Sequence, residues 1–282
     1  MGCIFVRFLW LAFLAGVVAM AQAEEGKPLD FGVINQRSVA LTAQSWNPIL
    51  VYVGKKVGVP LVLKMGKTAS ETTAMTERGE HAFAYTNHMF TPERDKVGYK
   101  VILRMAGAPI HGVIVVREDS PARGLKDIKG LAVAFPSRDA FAGYWLPMDR
   151  LIKDGIQVKE VFAGNQEGAM SQLQFGKVAA AAVNKKLLEK YAQREDFRFR
   201  VIWTSDPYLD IPIMAHPSVS PRLVEAVREA FVGMARDPEG QKALRASADG
   251  LESRQLWSFV RAEDKDYDNY RRFFRNSVVK GD

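Results

Sequence analysis

The side chains that could hold a small molecule stand where predicted strands end and predicted helices begin. Guanidinium, amide, hydroxyl and imidazole groups at such positions can bind a polar or anionic solute without a covalent step. Two aromatic rings nearby could form an apolar wall. The predicted ligand-binding residues are Arg37, Ser38, Tyr85, Thr86, Asn87, His111, Ser137, Arg138, Phe141, Tyr144 and Gln166.

Arginine is the strongest anion-binding group in this set, because its planar guanidinium presents a fork of donors to a carboxylate or another oxyanion. Arg37 follows the first predicted strand together with Ser38. Arg138 lies beside Ser137 in a polar loop before a predicted helix. The alternative for Arg37 is an exposed surface residue without a ligand.

The other candidates also have structural alternatives. Tyr85-Thr86-Asn87 ends a predicted strand, and Thr86 or Asn87 could simply cap the next helix. His111 could be a hinge residue, whereas Phe141 and Tyr144 could belong to a helical core. Gln166 begins a predicted helix, where its amide could recognise neutral or anionic polar groups alike.

Catalytic and metal-binding motifs are missing from the sequence. The chain has four histidines and no HExxH, GxSxG, P-loop or GxGxxG motif at a strand-to-helix turn. No long run of Lys or Arg suggests nucleic-acid binding. We therefore predict no catalytic residue, no metal site, no cofactor and no nucleic-acid partner.

The first 23 residues have the pattern of a secretory signal peptide. Arg7 precedes a continuous apolar run over 8–20, and Ala21-Gln22-Ala23 provides small residues for cleavage. Cleavage after Ala23 removes the only cysteine, Cys3, and reduces the 39 basic residues to 38 against 32 acidic ones. An uncleaved anchor is the alternative, but it would need about 20 apolar residues. The sequence predicts an exported, soluble chain without disulfides.

Short β-rich runs alternate with longer helical ones, which predicts an α/β layer fold. Strands are predicted over 29–34, 61–65, 82–85, 101–105, 112–117, 131–135, 158–162, 178–183 and 199–203. Asn47-Pro48 is expected to open a helix that ends near residue 56. The stretches 221–251 and 255–278 are expected to be helical with charged faces.

Several short motifs follow one another in a characteristic order. They are Trp46-Asn47-Pro48, the segment 79–85, the strand 112–117, the turn 125–130, the segment 143–147, Trp203-Thr204-Ser205 and the segment 237–240. In this order the chain resembles the phosphate/phosphite/phosphonate substrate-binding proteins of bacterial ABC transporters. The resemblance extends over nearly all of residues 28–275.

The resemblance implies a two-lobe type II periplasmic-binding-protein fold, in which each lobe is a mixed sheet flanked by helices. Two hinge crossovers near Arg117 and Thr204 would join a lobe formed by 24–115 plus 207–282 to a lobe formed by 116–206. The implied protein is a periplasmic monomer that captures a small anion, such as a phosphonate-like or phosphate-like oxyanion, for an inner-membrane permease. A sensory module that signals to a membrane receptor or kinase is the alternative.

The sequence departs from the family pattern at three places in the implied site. The family's Ser-Thr-Ser-Gly run corresponds to Ala140-Phe141-Ala142-Gly143, and a common histidine corresponds to Gln166. A common Gly-Pro pair corresponds to Thr86-Asn87. Main-chain amides at these helix starts can still favour an anion.

Overall fold

The computed structural model describes residues 27–249 and 257–280, so the predicted signal peptide lies outside the described residues. Strands in the described residues are β1 (Leu29–Val33), β2 (Leu61–Lys64), β3 (Phe83–Tyr85), β4 (Lys100–Met105), β5 (Gly112–Arg117), β6 (Ala132–Phe135), β7 (Lys159–Phe162), β8 (Ala180–Asn184), β9 (Phe199–Thr204), β10 (Pro212–Ala215) and β11 (Phe259–Arg261).

Helices lie between most of these strands. They are α1 (Val39–Val57), α2 (Ala69–Glu77), α3 (Pro92–Asp95), α4 (Leu146–Lys153), α5 (Gln166–Gln174), α6 (Lys185–Arg194), α7 (Pro221–Gly233), α8 (Pro238–Asp249) and α9 (Asp268–Asn276). Short 3-10 turns occupy His88–Phe90, Leu125–Ile128, Met234–Arg236 and Asp264–Tyr267, and a π-helical turn, Phe141–Trp145, leads into α4.

Two mixed sheets organise the molecule, as predicted. The first sheet has the order β11-β4-β10-β3-β1-β2 and the second has the order β7-β6-β8-β5-β9. In the first sheet β2, β1 and β3 run parallel, whereas β10 pairs antiparallel with β3 and β4, and β11 pairs antiparallel with β4. In the second sheet β7, β6 and β8 run parallel, whereas β5 pairs antiparallel with β8 and β9. Each sheet with its helices forms one lobe.

The chain crosses between the lobes at 106–111 and at 205–211. Ile110 and Tyr208 form an isolated antiparallel bridge, so the two crossing segments are paired side by side. β5 pairs with β8 and β9 and therefore belongs wholly to the second sheet. The first crossover accordingly precedes Gly112 instead of lying near Arg117, and a lobe boundary at residue 116 would divide β5.

The predicted start of α1 is wrong. The helix begins at Val39, eight residues before Asn47, and contains Pro48 in its interior. Its N-cap is Ser38, whose hydroxyl accepts a hydrogen bond from the N–H of Leu41 at 3.3 Å. A proline removes one main-chain donor and usually ends a helix. Here the buried face that includes Trp46, Ile49 and Leu50 packs on the first lobe and offsets that loss.

The predicted continuous helix at the C-terminal end is also wrong. Residues 255–278 include the short strand β11, which joins the edge of the first sheet beside β4. Within 221–251, the chain breaks between α7 and α8 at Pro238, where a proline begins the new helix. The sequence prediction also lacked β10, a fully buried central strand between β3 and β4.

The capping role of Ser38 gives a stability prediction. Replacing Ser38 with Ala should lower the free energy of unfolding by about 1 kcal/mol, because a helix N–H loses its acceptor. Ser38→Asp keeps an acceptor, so its free energy of unfolding should stay close to that of the natural chain. Urea denaturation measures both, and equal stability of the Ala variant and the natural chain would contradict the cap.

Candidate functional site

A cavity lies between the two lobes and is lined by residues from both of them. It encloses about 380 Å³ of empty space, including its mouth. The lining residues are Ile34, Asn35, Gln36, Ala69, Asn87, His88, Ile110, Pro136, Ser137, Ala140, Phe141, Ala142, Gln166, Asn184 and Ile211.

Three helix starts meet at this cavity in addition to that of α6, whose N-cap Asn184 also lines it. Ala69 starts α2, Gln166 starts α5, and Ala140 precedes the π-helical turn that continues into α4. The first N–H groups of a helix have no acceptor within that helix, and the aligned peptide dipoles make this end positive. Such helix starts favour an anion without any charged side chain.

The turn before α4 presents main-chain donors in particular. Hydrogen bonds join the N–H of Ala140 to the carbonyl of Ser137, and those of Tyr144 and Trp145 to the carbonyl of Ala140. In the described part of the chain, the N–H groups of 141–143 have no main-chain acceptor. Gly112 permits this turn to approach β5, because a Cβ there would stand 2.5 Å from the carbonyl oxygen of Ala142.

Two polar side chains add donors to the cavity. Ser137 is buried, and its hydroxyl has no hydrogen-bond partner among the described residues. The side-chain oxygen of Gln166 accepts a hydrogen bond from the N–H of Asn184 at 2.9 Å. Because a main-chain N–H can bond only to the amide oxygen, the amide NH₂ of Gln166 is left to donate.

Other polar residues of the cavity are held by neighbours. The amide of Asn35 accepts from the hydroxyl of Thr72 at 2.6 Å and donates to the carbonyl of Gly66 at 2.9 Å. His88 Nδ1 lies 2.7 Å from the hydroxyl of Thr73. Burial lowers the pKa of His88, so the ring is neutral at pH 7.

The cavity contains no fixed positive charge: Lys and Arg are absent from its lining. An anion would therefore be held by main-chain dipoles, a hydroxyl and amides. This arrangement avoids the desolvation of a buried cationic side chain.

The structure brings four of the predicted ligand residues to this cavity, namely Asn87, Ser137, Phe141 and Gln166. Tyr85 and His111 line a larger adjoining cavity, and the ring of His111 is bonded through Nδ1 to the carbonyl of Ser205 at 2.9 Å. Arg37 lines a third space next to both.

The remaining predicted residues lie away from the cavity lining. Ser38 caps α1, and the hydroxyl of Thr86 accepts from the N–H of His88 at 3.0 Å. The guanidinium of Arg138 stands over the ring of Phe162, 4.9 Å from its centroid, and donates to the hydroxyl of Tyr144 at 3.2 Å. Tyr144 in turn donates to a carboxylate of β7 at 3.0 Å.

The sequence prediction missed several lining residues, including His88, Ala69 and Asn184. Asn184 had a usable signal, because it ends β8 and its side chain caps α6 by accepting from the N–H of Lys186 at 2.9 Å. The loop 35–38 after β1 was a predicted candidate, and its residues Asn35 and Gln36 line the cavity. Ala69 carried no sequence signal, because an alanine has no polar side chain that would indicate a binding site.

Three ion pairs join the lobes around the cavity. Arg94 lies 2.6 Å from Asp139, Lys186 lies 2.8 Å from Asp210, and the third pair is Arg37 with Glu167 at 3.5 Å. Arg94 and Arg37 belong to the first lobe and their partners to the second, whereas Lys186 of the second lobe pairs with Asp210 on a crossover. The structure therefore shows the lobes in contact across the cleft.

Both side chains of the pair between Arg94 and Asp139 are largely buried, with 21% and 10% of their surface exposed. Burial alone would raise the pKa of Asp139, but His88, Arg94 and a hydrogen bond from Ser70 act against it and hold the pKa below its ordinary value. Because burial keeps His88 neutral, Arg94 provides the lasting positive charge. Arg94 also approaches Glu77 at 3.3 Å, so it has a second acidic neighbour.

No group of three or more potential metal ligands occurs in residues 27–249 and 257–280. In the same ranges, no helix combines the length and apolar character required to cross a bilayer.

A family model described as "ABC transporter, phosphonate, periplasmic substrate-binding protein" matches residues 31–267. The chain belongs to this family. The predicted resemblance is thereby confirmed, and members of the family are binding components of transporters located in the periplasm.

The family is also represented among individual relatives. The chain is 23% identical over 160 residues to the probable ABC transporter phosphite binding protein PhnD1 of Prochlorococcus marinus (strain MIT 9301). This match spans about half of either chain, 53% in each case.

Two solved structures from the family share the two-lobe type II architecture. The binding protein component of an ABC phosphonate transporter from Pseudomonas aeruginosa has a TM-score of 0.74 at 16% identity, over 88% of this chain and 85% of that one. PhnD1 of Prochlorococcus marinus in complex with methylphosphonate has a TM-score of 0.72 at 16% identity, over 88% and 97%. The predicted fold class is confirmed.

The ion pair between Arg94 and Asp139 predicts an asymmetric response to mutation. Arg94→Met should lower the free energy of unfolding by about 3 kcal/mol, because it leaves a buried carboxylate without its cation. Asp139→Asn should lower the free energy of unfolding by less, because Arg94 keeps Glu77 as a partner. Urea denaturation of both variants and of the double variant measures the difference. Equal losses in the two single variants would contradict this account.

Proposed function

We propose that the chain binds a phosphonate or a closely related tetrahedral oxyanion between its lobes and delivers it to an inner-membrane ABC permease. The observation that carries the proposal is the convergence of three helix starts on one interlobe cavity that also contains the buried hydroxyl of Ser137. Family membership supports the role in transport. The complex of a related protein with methylphosphonate supports the ligand class.

The donors fit the chemistry of such a ligand. A phosphonate has several oxygen acceptors that diverge from one phosphorus atom, and donors from α2, α5 and the turn 140–145 approach the cavity from different elements. In this chain the turn lacks the hydroxyls at 140–142, and Ser137 and Gln166 provide side-chain donors instead. The ligand would leave chemically unchanged, as expected for the binding component of a transporter.

Binding and release require the lobes to separate. The paired crossing segments at Ile110 and Tyr208 are the natural hinge, because they are the two connections between the sheets. A ligand that accepts hydrogen bonds from both lobes favours the closed form. The closed surface then provides what a permease can recognise. No observation on the described residues favours the sensory alternative.

The proposed periplasmic location predicts a defined mature N-terminus. Expression of the full chain in a Gram-negative host should yield periplasmic protein that begins at Glu24, because Ala21 and Ala23 are small enough for the cleaving peptidase. Intact-mass measurement of the periplasmic fraction tests this. A membrane-bound product that retains residues 1–23 would contradict it.

Ser137 and Ser247 provide a matched pair for testing the ligand site. Both serines are buried with hydroxyls that have no partner among the described residues, but Ser247 lies on α8 and does not line the cavity. Ser137→Ala should weaken methylphosphonate binding by about tenfold, the effect of one lost hydrogen bond to a charged group. Ser247→Ala should leave the affinity unchanged.

Isothermal titration calorimetry with methylphosphonate, phosphite and phosphate measures these affinities. Absence of binding for all three anions would contradict the proposed function. If the two serine variants bind with equal affinity, the anion binds elsewhere, and the assignment of the ligand to this cavity is refuted.

A further inference from the structure

A second and larger cavity adjoins the interlobe cavity. It contains about 1430 Å³ of empty space including its mouth, compared with about 380 Å³ for the first. Gln36 and Asn184 line both spaces, so one opens next to the other. A ligand whose oxyanion occupies the first cavity therefore has room for a substituent in the second.

Helix α6 forms one wall of the larger cavity and places lysines along it. Lys186 and Lys190 are four residues apart and share one face of the helix. Asn184 lies at the beginning of α6, so Lys190 is about 9 Å further along its axis. The side of α6 thus runs from the first cavity to a cluster of positive charges.

Lys190 is the cation in this cluster without an acidic partner. Lys186 pairs with Asp210 at 2.8 Å, and Lys185 lies 3.8 Å from Glu189. By contrast, the ammonium of Lys190 makes no hydrogen bond or ion pair with any residue in 27–249 or 257–280. Lys190 lines both the larger cavity and the smaller space beside Arg37.

The surroundings of Lys190 favour a negative charge. Burial, followed by the nearby charges of Lys186 and Arg37, lowers the pKa of Lys190, whereas Asp210 acts in the opposite direction. Arg37 pairs with Glu167, which is shared with Arg194, and Arg194 also pairs with Glu195 at 2.7 Å. Lys190 is therefore the cation here whose charge is not balanced by an ion pair with a described carboxylate.

Aromatic rings form another part of the cavity lining. Tyr85 and Trp257 line it, and Trp46 packs between them with ring-centroid distances of 4.7 Å to Tyr85 and 5.4 Å to Trp257. An apolar spacer could lie against these rings while an acidic group reaches Lys190.

We propose that the larger cavity is a second subsite, in which Lys190 binds an acidic group at the end of the ligand's organic substituent. The inference rests on the proposed function, because the oxyanion of the same ligand occupies the interlobe cavity. The preferred ligand class is accordingly a phosphonate whose alkyl chain ends in a carboxylate. A positively charged end is disfavoured.

Three phosphonates of matched length test the subsite by calorimetry on the mature chain: propylphosphonate, carboxyethylphosphonate and aminoethylphosphonate. Carboxyethylphosphonate should bind roughly tenfold more tightly than propylphosphonate, because a charge-assisted contact is added. Aminoethylphosphonate should bind more weakly than propylphosphonate. Lys190→Met should abolish the advantage of the carboxylate and leave the affinity for propylphosphonate unchanged.

Lys177→Met is the matched control, because Lys177 is an exposed lysine of the same lobe that does not line either cavity. It should retain the preference for carboxyethylphosphonate. Lys190→Gln is a second neutral variant, for use if Lys190→Met does not fold as judged by its melting temperature.

The outcomes separate the two proposals. Binding of propylphosphonate without any preference for the carboxylate, or a preference that survives in both Lys190 variants, overturns the second subsite alone. Failure of all three phosphonates and of methylphosphonate to bind overturns the proposed function and the subsite with it.

Discussion

The hydrogen-bond donors buried between the lobes are the constraint on which the site depends. A buried donor without an acceptor costs about 1–3 kcal/mol, and more than one is present here, in the turn 141–143 and at Ser137. Water supplies acceptors when the lobes are apart. When they meet, an anion with several oxygens can satisfy donors from both lobes at once, which couples closure to binding.

Other contacts hold the lobes in register for this coupling. Phe141, at the start of the turn, packs on Tyr208 and Tyr270 with ring-centroid distances of 4.8 and 4.3 Å. Tyr208 lies on a crossover and Tyr270 on α9, so the turn rests on elements that follow the second lobe in the sequence. Ion pairs on other sides of the cavity supplement this apolar contact.

The strand pattern could be predicted from sequence because buried strands in an α/β fold are nearly continuous apolar runs. A strand end indicated Asn87 and a helix start indicated Gln166, and both residues line the cavity. Sequence could not show the direction of a side chain in a short loop: Ser137 points into the cavity, while its neighbour Arg138 stacks on Phe162. Pro48 led to a wrong prediction of the start of α1. The tertiary packing of the helix outweighs the preference of proline for the first turn of a helix, and this packing cannot be read from the local sequence. β11 was missed for the same reason, since three residues form a strand only beside β4.

The positions of the charges explain how an uncharged cavity can serve an anionic ligand. The chain has a net charge of +7, and Arg37 and Lys186 lie around the spaces next to the cavity and not within it. Cations at an entrance raise the local concentration of anions and their rate of association. Dipoles and amides inside would then hold the proposed anion through directed hydrogen bonds, without a lysine whose own desolvation would oppose closure. The charged residues around the cavity would attract the proposed anion, and the uncharged groups inside it would select among anions.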